Sequence, residues 1–160
     1  NNNAYCQDTV LSWVNWQLNQ HQLDLEDTVA HLIRLRNENP VLRPKRFNNF
    51  DEATTESDLA RWYNVFGQIM TEDDWNNSEN RSFAKLGKSI DENGKVNQLL
   101  LVVHGTETDI DFTLPNEIET AGFELLWDSS LERPTAKPAT DKPGDVIKLP
   151  ATSIRLYNVL

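Results

Sequence analysis

The feature that most constrains the fold is a pair of apolar runs on either side of an Asn-Gly turn. SFAKLGKSI and KVNQLLLVVHG flank DENG, and the Asn93-Gly94 dipeptide is a strong β-hairpin signal. Further on, Ile110, Phe112 and Leu114 alternate with polar residues, which predicts a strand with one buried and one wet face. ARWYNVF, FELLWDSS, DVIKLP and TSIRLYNVL predict more strands. Short strands at this spacing indicate an antiparallel β-sandwich.

One strongly amphipathic segment precedes most of these strands. In LDLEDTVAHLIRLRNENP, one helical face carries Leu25, Val29, Leu32, Ile33 and Arg36. An aspartate at position 24 fits an N-cap and a proline at position 40 fits a stop, so the pattern predicts a helix over 25–38. Burying a large aliphatic side chain is worth about 1.5–3 kcal/mol. We therefore expect this stripe to pack on the β-domain, on another molecule, or on a part of the protein outside this chain.

The composition limits the cellular compartment and the binding partners that are expected for the chain. The formal net charge of −10 repels phosphate backbones, so nucleic acid is not expected as a partner. No apolar run approaches the ~18 residues of a membrane span, so no membrane partner is expected either. Cys6 is the single cysteine, which fits a reducing cytoplasm and predicts a buried, inert thiol.

Five blocks carry a resemblance to a known family. NNNAYCQD, SWVNW, DTVAHLIRLRNENPVLR, MTEDDWNN and HGTETDIDFTLP follow one another along nearly the whole chain. In this order they resemble the C-terminal third of bacterial glycogen debranching enzymes of the isoamylase and pullulanase type, in the α-amylase superfamily (glycoside hydrolase family 13). NNNAYCQD is the most specific block. The sequence departs from the family at Thr9, where the family usually has asparagine.

The resemblance implies a division of the chain. Residues 1–44 would be the tail of a catalytic (β/α)8 barrel, namely the loop after its last strand and its last helix. Residues 45–160 would form the C-terminal β-sandwich domain. The fold class expected is therefore mainly β, with an antiparallel sandwich preceded by a loop and one amphipathic helix. The barrel would be the missing partner of the helix stripe.

The same resemblance implies a function for the parent enzyme. It would hydrolyse α-1,6-glucosidic branch linkages in glycogen or limit dextrin in the cytoplasm. The family's catalytic aspartate, glutamate and second aspartate come from earlier barrel strands, so the chain is expected to contain no catalytic residue and to have no hydrolase activity alone. It would stabilise the barrel and complete the rim of the substrate cleft. No cofactor and no metal are expected.

The opening octapeptide supplies the candidate substrate-binding residues. Loops at the C-terminal face of a barrel build active sites. Amide groups donate and accept hydrogen bonds, as sugar hydroxyls do, and an aromatic ring offers an apolar platform. Together with the resemblance, this predicts sugar contacts for four residues: Asn3, Tyr5, Gln7 and Asp8. A tight turn at residues 1–3 is the structural alternative, and Trp13 and Trp16 are expected to be packing residues.

Other polar clusters have plainer explanations. Turn formation or helix capping accounts for the acidic run 72–74, and a solvated strand face accounts for Asp109 and Asp111. The three histidines share no metal-ligand spacing and are expected to be ordinary surface or packed residues: His21, His31 and His104.

Two alternative functions stay open. The chain could be a stand-alone glucan-binding β-sandwich module that uses exposed tryptophans. Trp62 and Trp127 lie inside strand patterns, which favours packing, so Trp75 is the best candidate for exposure. The chain could also be the C-terminal domain of another amylase-type enzyme, such as a maltooligosyl-trehalose hydrolase. Without the barrel, the helix stripe is expected either to fold back on the sandwich or to pair two copies of the free chain.

Overall fold

A computed structural model describes residues 5–44, 58–134 and 139–160, without the side chains of residues 58 and 59. Within these ranges, a long helix, α1 (Gln20–Glu38), a short 3-10 helix (Pro40–Leu42) and a short helix, α2 (Glu72–Asn76), accompany eight strands. The strands are β1 (Asp58–Tyr63), β2 (Ser82–Ile90), β3 (Val96–His104), β4 (Ile110–Thr113), β5 (Phe123–Asp128), β6 (Thr140–Asp141), β7 (Val146–Leu149) and β8 (Ser153–Val159).

The strands form two antiparallel sheets. The large sheet has the order β1-β2-β3-β8-β5-β6, and β4 pairs with β7 in a two-stranded sheet. Every one of these pairings is antiparallel. The prediction of a mainly β chain with an antiparallel sandwich and one long helix is therefore confirmed.

The hairpin predicted at the Asn-Gly dipeptide joins β2 to β3. Ile90 lies opposite Val96, which leaves residues 91–95 as the loop. The Asp91 carboxylate accepts hydrogen bonds from the backbone N–H groups of Asn93 (2.9 Å) and Lys95 (2.8 Å). Glycine at position 94 has a φ of +78°, a backbone conformation that costs glycine little. The aspartate and the glycine together close a loop that is longer than a two-residue turn.

The main core lies between the two sheets. The strand predicted from alternation, β4, contributes Phe112, and Leu114 follows it; both side chains are fully buried. They face residues of the large sheet, and the whole cluster comprises Tyr63, Ala84, Leu86, Leu100, Val102, Phe112, Leu114, Ile118, Phe123, Ile147, Leu149 and Tyr157. Strand alternation places the remaining side chains of the large sheet on its outer face.

Helix α1 packs on that outer face. Leu35 is 7% exposed and forms a second core cluster with Leu99 of β3 and Leu156 of β8. The 3-10 helix adds Val41, whose approach requires a glycine at position 87 of β2, since a Cβ there would lie 2.8 Å from a Val41 methyl carbon. The fold thus has three layers, with a helix on one side of the large sheet and the small sheet on the other.

The helix begins earlier than predicted. Asn19 caps it by accepting a hydrogen bond from the backbone N–H of Gln22, whose side chain accepts from the Asn19 N–H in return. Asp24, the predicted N-cap, lies inside the helix and is buried. Its carboxylate accepts from Gln20 (2.9 Å) and from Arg133 (3.1 Å), a loop residue after β5. Asp24 therefore joins helix to loop instead of capping.

The helix face that packs on the sheet is not the predicted stripe. Of the stripe, Leu32 is half-buried against the second cluster, whereas Leu25, Val29 and Ile33 are 63%, 48% and 55% exposed. At 100° per residue, Leu35 lies roughly 100° around the helix from the centre of the stripe. Packing on the β-domain was one of the three expected ways to bury the stripe. It buries little of the apolar face.

Two leucines of α1 provide a test of this orientation. Leu35→Ala is expected to lower the free energy of unfolding by about 2 kcal/mol or more, since it leaves a cavity against Leu99 and Leu156. Leu25→Ala, the same substitution on the exposed face, is expected to change it by less than about 0.5 kcal/mol. Urea unfolding followed by circular dichroism measures both. Equal losses for the two variants would contradict the orientation.

Candidate functional site

Residues 5–19, which precede α1 and which we call the lead-in loop, are held by short-range hydrogen bonds. The backbone N–H groups of Ser12 and Trp13 donate to the Thr9 carbonyl at 2.9 and 3.1 Å, and the Ser12 hydroxyl donates to the Gln7 carbonyl. The indole N–H of Trp13 donates to the Asp8 carboxylate. Residues 5 and 6 have φ angles of +48° and +59°, in the left-handed region that non-glycine residues seldom occupy. The loop is a compact turn at residues 7–13 with a sharply bent entry.

Three of the four predicted sugar-binding residues lie together in this loop. Tyr5 is 80% exposed, and Gln7 and Asp8 are exposed as well. Asn3 lies outside the described residues. The side chains of Tyr5, Gln7 and Asp8 are accessible, and the Asp8 carboxylate is oriented by its bond to Trp13. Sugar binding by this group stays a prediction, because the geometry establishes accessibility and not contact.

The tryptophans of the lead-in do not pack in this chain. Trp13 is 61% exposed and Trp16 is 84% exposed, so the expectation that they are packing residues is not met by contacts within the described part of the chain. They belong to a larger set of exposed apolar side chains, which we call the N-terminal apolar surface: Tyr5, Val10, Leu11, Trp13, Val14, Trp16, Leu23, Leu25, Val29 and Ile33. These are ten of the seventeen large apolar residues that are exposed in the described ranges. Where such side chains adjoin one another, they form the kind of patch that is typical of surfaces that bind other molecules.

Helix α2 is a short, well-capped element on the β-domain. The Thr71 hydroxyl accepts from the Asp74 N–H at 3.2 Å, and the Asp74 carboxylate accepts from the Thr71 N–H at 2.8 Å. The amides of Asn64 and Asn80 also donate to Asp74, at its carboxylate (3.4 Å) and its carbonyl (3.2 Å). The backbone N–H of Thr71 lowers the pKa of the Asp74 carboxyl. The prediction that capping explains the acidic run 72–74 is confirmed.

Helix α2 presents the most exposed tryptophan of the β-domain. Trp75 is 51% exposed, and its ring centroid lies 5.3 Å from that of Trp62 at an interplanar angle of 74°. Trp62 also contacts Phe83 at 5.4 Å, and the Lys85 ammonium lies 5.2 Å from its ring centroid. Exposure of Trp75 and partial burial of Trp62 agree with the sequence analysis. Trp127 packs half-buried against the second cluster, as expected.

Two of the three histidines, His31 and His104, have hydrogen-bond partners, whereas His21 is exposed. The Nε2 of His104 lies 2.6 Å from the Thr108 carbonyl, which can only accept, so Nε2 carries the proton. In the neutral imidazole Nδ1 then accepts from the Ser82 hydroxyl at 2.7 Å, and this buried pair holds the start of the turn after β3. His31 Nε2 lies 3.2 Å from the Leu126 carbonyl. No group of three potential metal ligands occurs in the part of the chain that the structure describes.

Cys6 differs from its prediction. It is exposed at the bent entry of the lead-in, so the expectation of a buried thiol is wrong. Asp109 and Asp111 are exposed, as predicted for the wet face of β4. Among the helices described, none is both long and apolar enough to cross a bilayer.

The chain is similar in sequence to proteins that are named for glycogen metabolism. No family model matches the sequence. The glycogen operon protein GlgX homolog of Mycobacterium tuberculosis (strain ATCC 25618 / H37Rv) is 29% identical over 170 residues, covering 99% of this chain and 22% of the relative. The glycogen debranching enzyme of Dickeya chrysanthemi is 33% identical over 115 residues, 72% of this chain and 15% of the relative. That of Salmonella typhi is 39% identical over 77 residues, 48% and 11% respectively.

These relatives support the resemblance of the chain to a C-terminal part of GlgX-type glycogen debranching enzymes. The resemblance read from the five sequence blocks is therefore confirmed. The chain spans about a fifth or less of the length of these relatives.

The sequence analysis missed the contacts around Trp62. Lys85 lies directly across from Trp62 in the β1–β2 pair, and Phe83 shares that face, but neither neighbour is visible before the strand register is known. The burial of Leu35 had a weak signal, since Leu32 and Leu35 are one turn apart. The prediction was based instead on the wider apolar stripe beside them.

Acidification tests the structural role of Asp74. Because its pKa is lowered in the folded chain, the stability that it contributes is present above its unfolded pKa of about 3.9 and is lost as pH falls through the lower folded value. We expect the Trp75 indole NMR signal to shift toward its unfolded position below about pH 4. Asp74→Asn should weaken α2 at neutral pH and remove this acid response, whereas Asp73→Asn should retain it. Identical acid profiles for all three proteins would contradict the role.

Proposed function

We propose that the chain is the C-terminal section of an enzyme that hydrolyses α-1,6-glucosidic branch linkages of glycogen or limit dextrin. The supporting observation is that the alignment with a GlgX homolog runs through 99% of the chain but only 22% of the relative. Residues 1–44 would belong to the catalytic barrel and residues 45–160 to the sandwich domain that follows it. A cytoplasmic location goes with this proposal.

Hydrolysis itself would be carried out by residues outside the chain. A retaining glycosidase needs two carboxyl groups about 5–5.5 Å apart on either side of the sugar. The buried carboxylates of this chain already have structural partners. Asp24 binds Arg133, and Asp128 binds Arg155 at 2.7 Å. Glu117 accepts from the Tyr63 hydroxyl at 3.0 Å. These bonds orient carboxylates toward the protein and away from a substrate.

The chain's own role would be to support the catalytic part through the N-terminal apolar surface. Covering the exposed portions of Leu25, Val29 and Ile33 would contribute about 1 kcal/mol each, since roughly half of each side chain is accessible. Helix α1 would then lie between two bodies, with Leu35 on the sandwich and the stripe on the barrel. The same contact would cover Trp13 and Trp16 and fix the lead-in loop.

Fixing the lead-in would complete the rim of the substrate cleft. Tyr5 would offer a ring face, and Gln7 and Asp8 would offer hydrogen-bonding groups to sugar hydroxyls. Asn3 joins them in the proposal through the sequence resemblance. The names of the relatives favour a debranching enzyme over a different amylase-type enzyme. A stand-alone glucan-binding module stays the second candidate, because Trp75 is exposed.

A chimera tests the proposed function. The chain is expected to release no reducing ends from a branched glucan by itself. Placed in the GlgX homolog of M. tuberculosis in exchange for the aligned segment, it should support debranching, and Val29→Asp should reduce that activity at least about tenfold through lost docking. Val146→Asp, at a valine of β7 that is 63% exposed, should leave it unchanged. Activity of the free chain, or equal activity of the two variants, would contradict the proposal.

Self-association of the free chain tests the same surface. With the N-terminal apolar surface uncovered, we expect the chain to form dimers through α1 at high concentration, detected by sedimentation velocity. Val29→Asp should shift the equilibrium to monomers and change the free energy of unfolding by no more than about 0.5 kcal/mol. Val146→Asp should not shift it. A wild-type chain that stays monomeric at all concentrations would refute the dimer.

A further inference from the structure

We propose that Trp75 is the platform of a surface glucan-binding site on the sandwich. The ligand would be a linear α-glucan segment, a choice that rests on the proposed function. The site would consist of Trp75 and Glu72 of α2 with Lys85 of β2 beside them, and it would hold substrate without acting on it.

The ring geometry leaves a stacking face open. Two rings that meet at 74° are nearly perpendicular, so either ring can cover at most one face of the other. Trp75 is accordingly 51% exposed although Trp62 lies 5.3 Å away. An open indole face matches the apolar, CH-bearing face of a pyranose ring in size and polarity.

The platform is rigid before any ligand arrives. The capping box between Thr71 and Asp74 closes the first turn of α2, and Asn64 and Asn80 attach that turn to the domain. Trp62, which supports Trp75, is packed in turn by Phe83. A side chain that is ordered in advance loses little rotamer entropy when it binds, which favours affinity at an exposed position.

Polar groups of both kinds lie near the two tryptophans, Trp75 and Trp62. Glu72 lies three residues before Trp75, on the same face of the helix, and supplies an acceptor. The Lys85 ammonium, 5.2 Å from the Trp62 ring centroid, supplies a donor. Asn76 is exposed and forms no side-chain hydrogen bond within the ranges 5–44, 58–134 and 139–160. Sugar hydroxyls require this combination of donors and acceptors.

Charge favours a neutral ligand. The chain carries a formal net charge of −10, so an anionic polymer would be repelled, whereas a glucan carries no charge. The ammonium of Lys85 next to the cluster also disfavours a cation stacked on the tryptophans. An uncharged polyhydroxylated ligand is the class that suits both the ring and its surroundings.

Affinity electrophoresis in gels that contain glycogen tests the site. The wild-type chain should be retarded in proportion to glycogen concentration, and Trp75→Ala should weaken this affinity about tenfold through loss of the stacking contact. Trp75→Phe should retain most of the retardation, because a ring remains. Phe66→Ala removes an aromatic side chain that is 70% exposed on the β-domain outside α2 and β2, and this variant should migrate like the wild type.

The outcomes separate this inference from the proposed function. Retardation that persists in Trp75→Ala, or that is absent in the wild-type chain, would overturn the Trp75 site while leaving the chimera result untouched. Retardation lost in Trp75→Ala and kept in Trp75→Phe would support the site even if the chimera were inactive. A thermal unfolding curve of Trp75→Ala that matches the wild type shows that the loss comes from the missing ring.

Discussion

The packing of α1 on the outer face of the large sheet determines how the rest of the surface is presented. Leu35 enters the cluster with Leu99 and Leu156, and the Asp24–Arg133 pair fixes the other end of the helix. A helix held along one side cannot also bury a stripe roughly 100° away from that side. The exposed apolar residues of α1 are therefore a consequence of how the helix is attached.

The β-domain was predictable because its signals are local. Period-two alternation around Phe112 and the loop at Asn93-Gly94 depend on neighbours within a few residues. The orientation of α1 was not predictable in the same way. Its buried face includes Asp24 and His31, whose partners are Arg133 and the Leu126 carbonyl, about a hundred residues along the chain. A periodicity argument treats such residues as solvent-facing, since their pairing is invisible in sequence.

The candidate sites also combine features that the local sequence predicts with features that depend on long-range contacts. The cap of α2 and the exposure of Trp75 could be predicted from the local pattern Thr71-x-x-Asp74 and its polar surroundings. The neighbours that give Trp75 its context, Trp62 and Lys85, come from the register of β1 against β2. The lead-in residues Tyr5, Gln7 and Asp8 were identified by resemblance, and their accessibility is what the fold adds.

The two proposed sugar-binding regions differ in what they require. Trp75 is supported by hydrogen bonds and ring contacts within the sandwich, so its geometry does not depend on another domain. The lead-in is supported by its own turn, and its tryptophans at positions 13 and 16 are largely uncovered. Ordering such a loop costs conformational entropy that its internal bonds only partly offset. Sugar contact by the lead-in is therefore coupled to docking of the N-terminal apolar surface, whereas binding at Trp75 is independent of it.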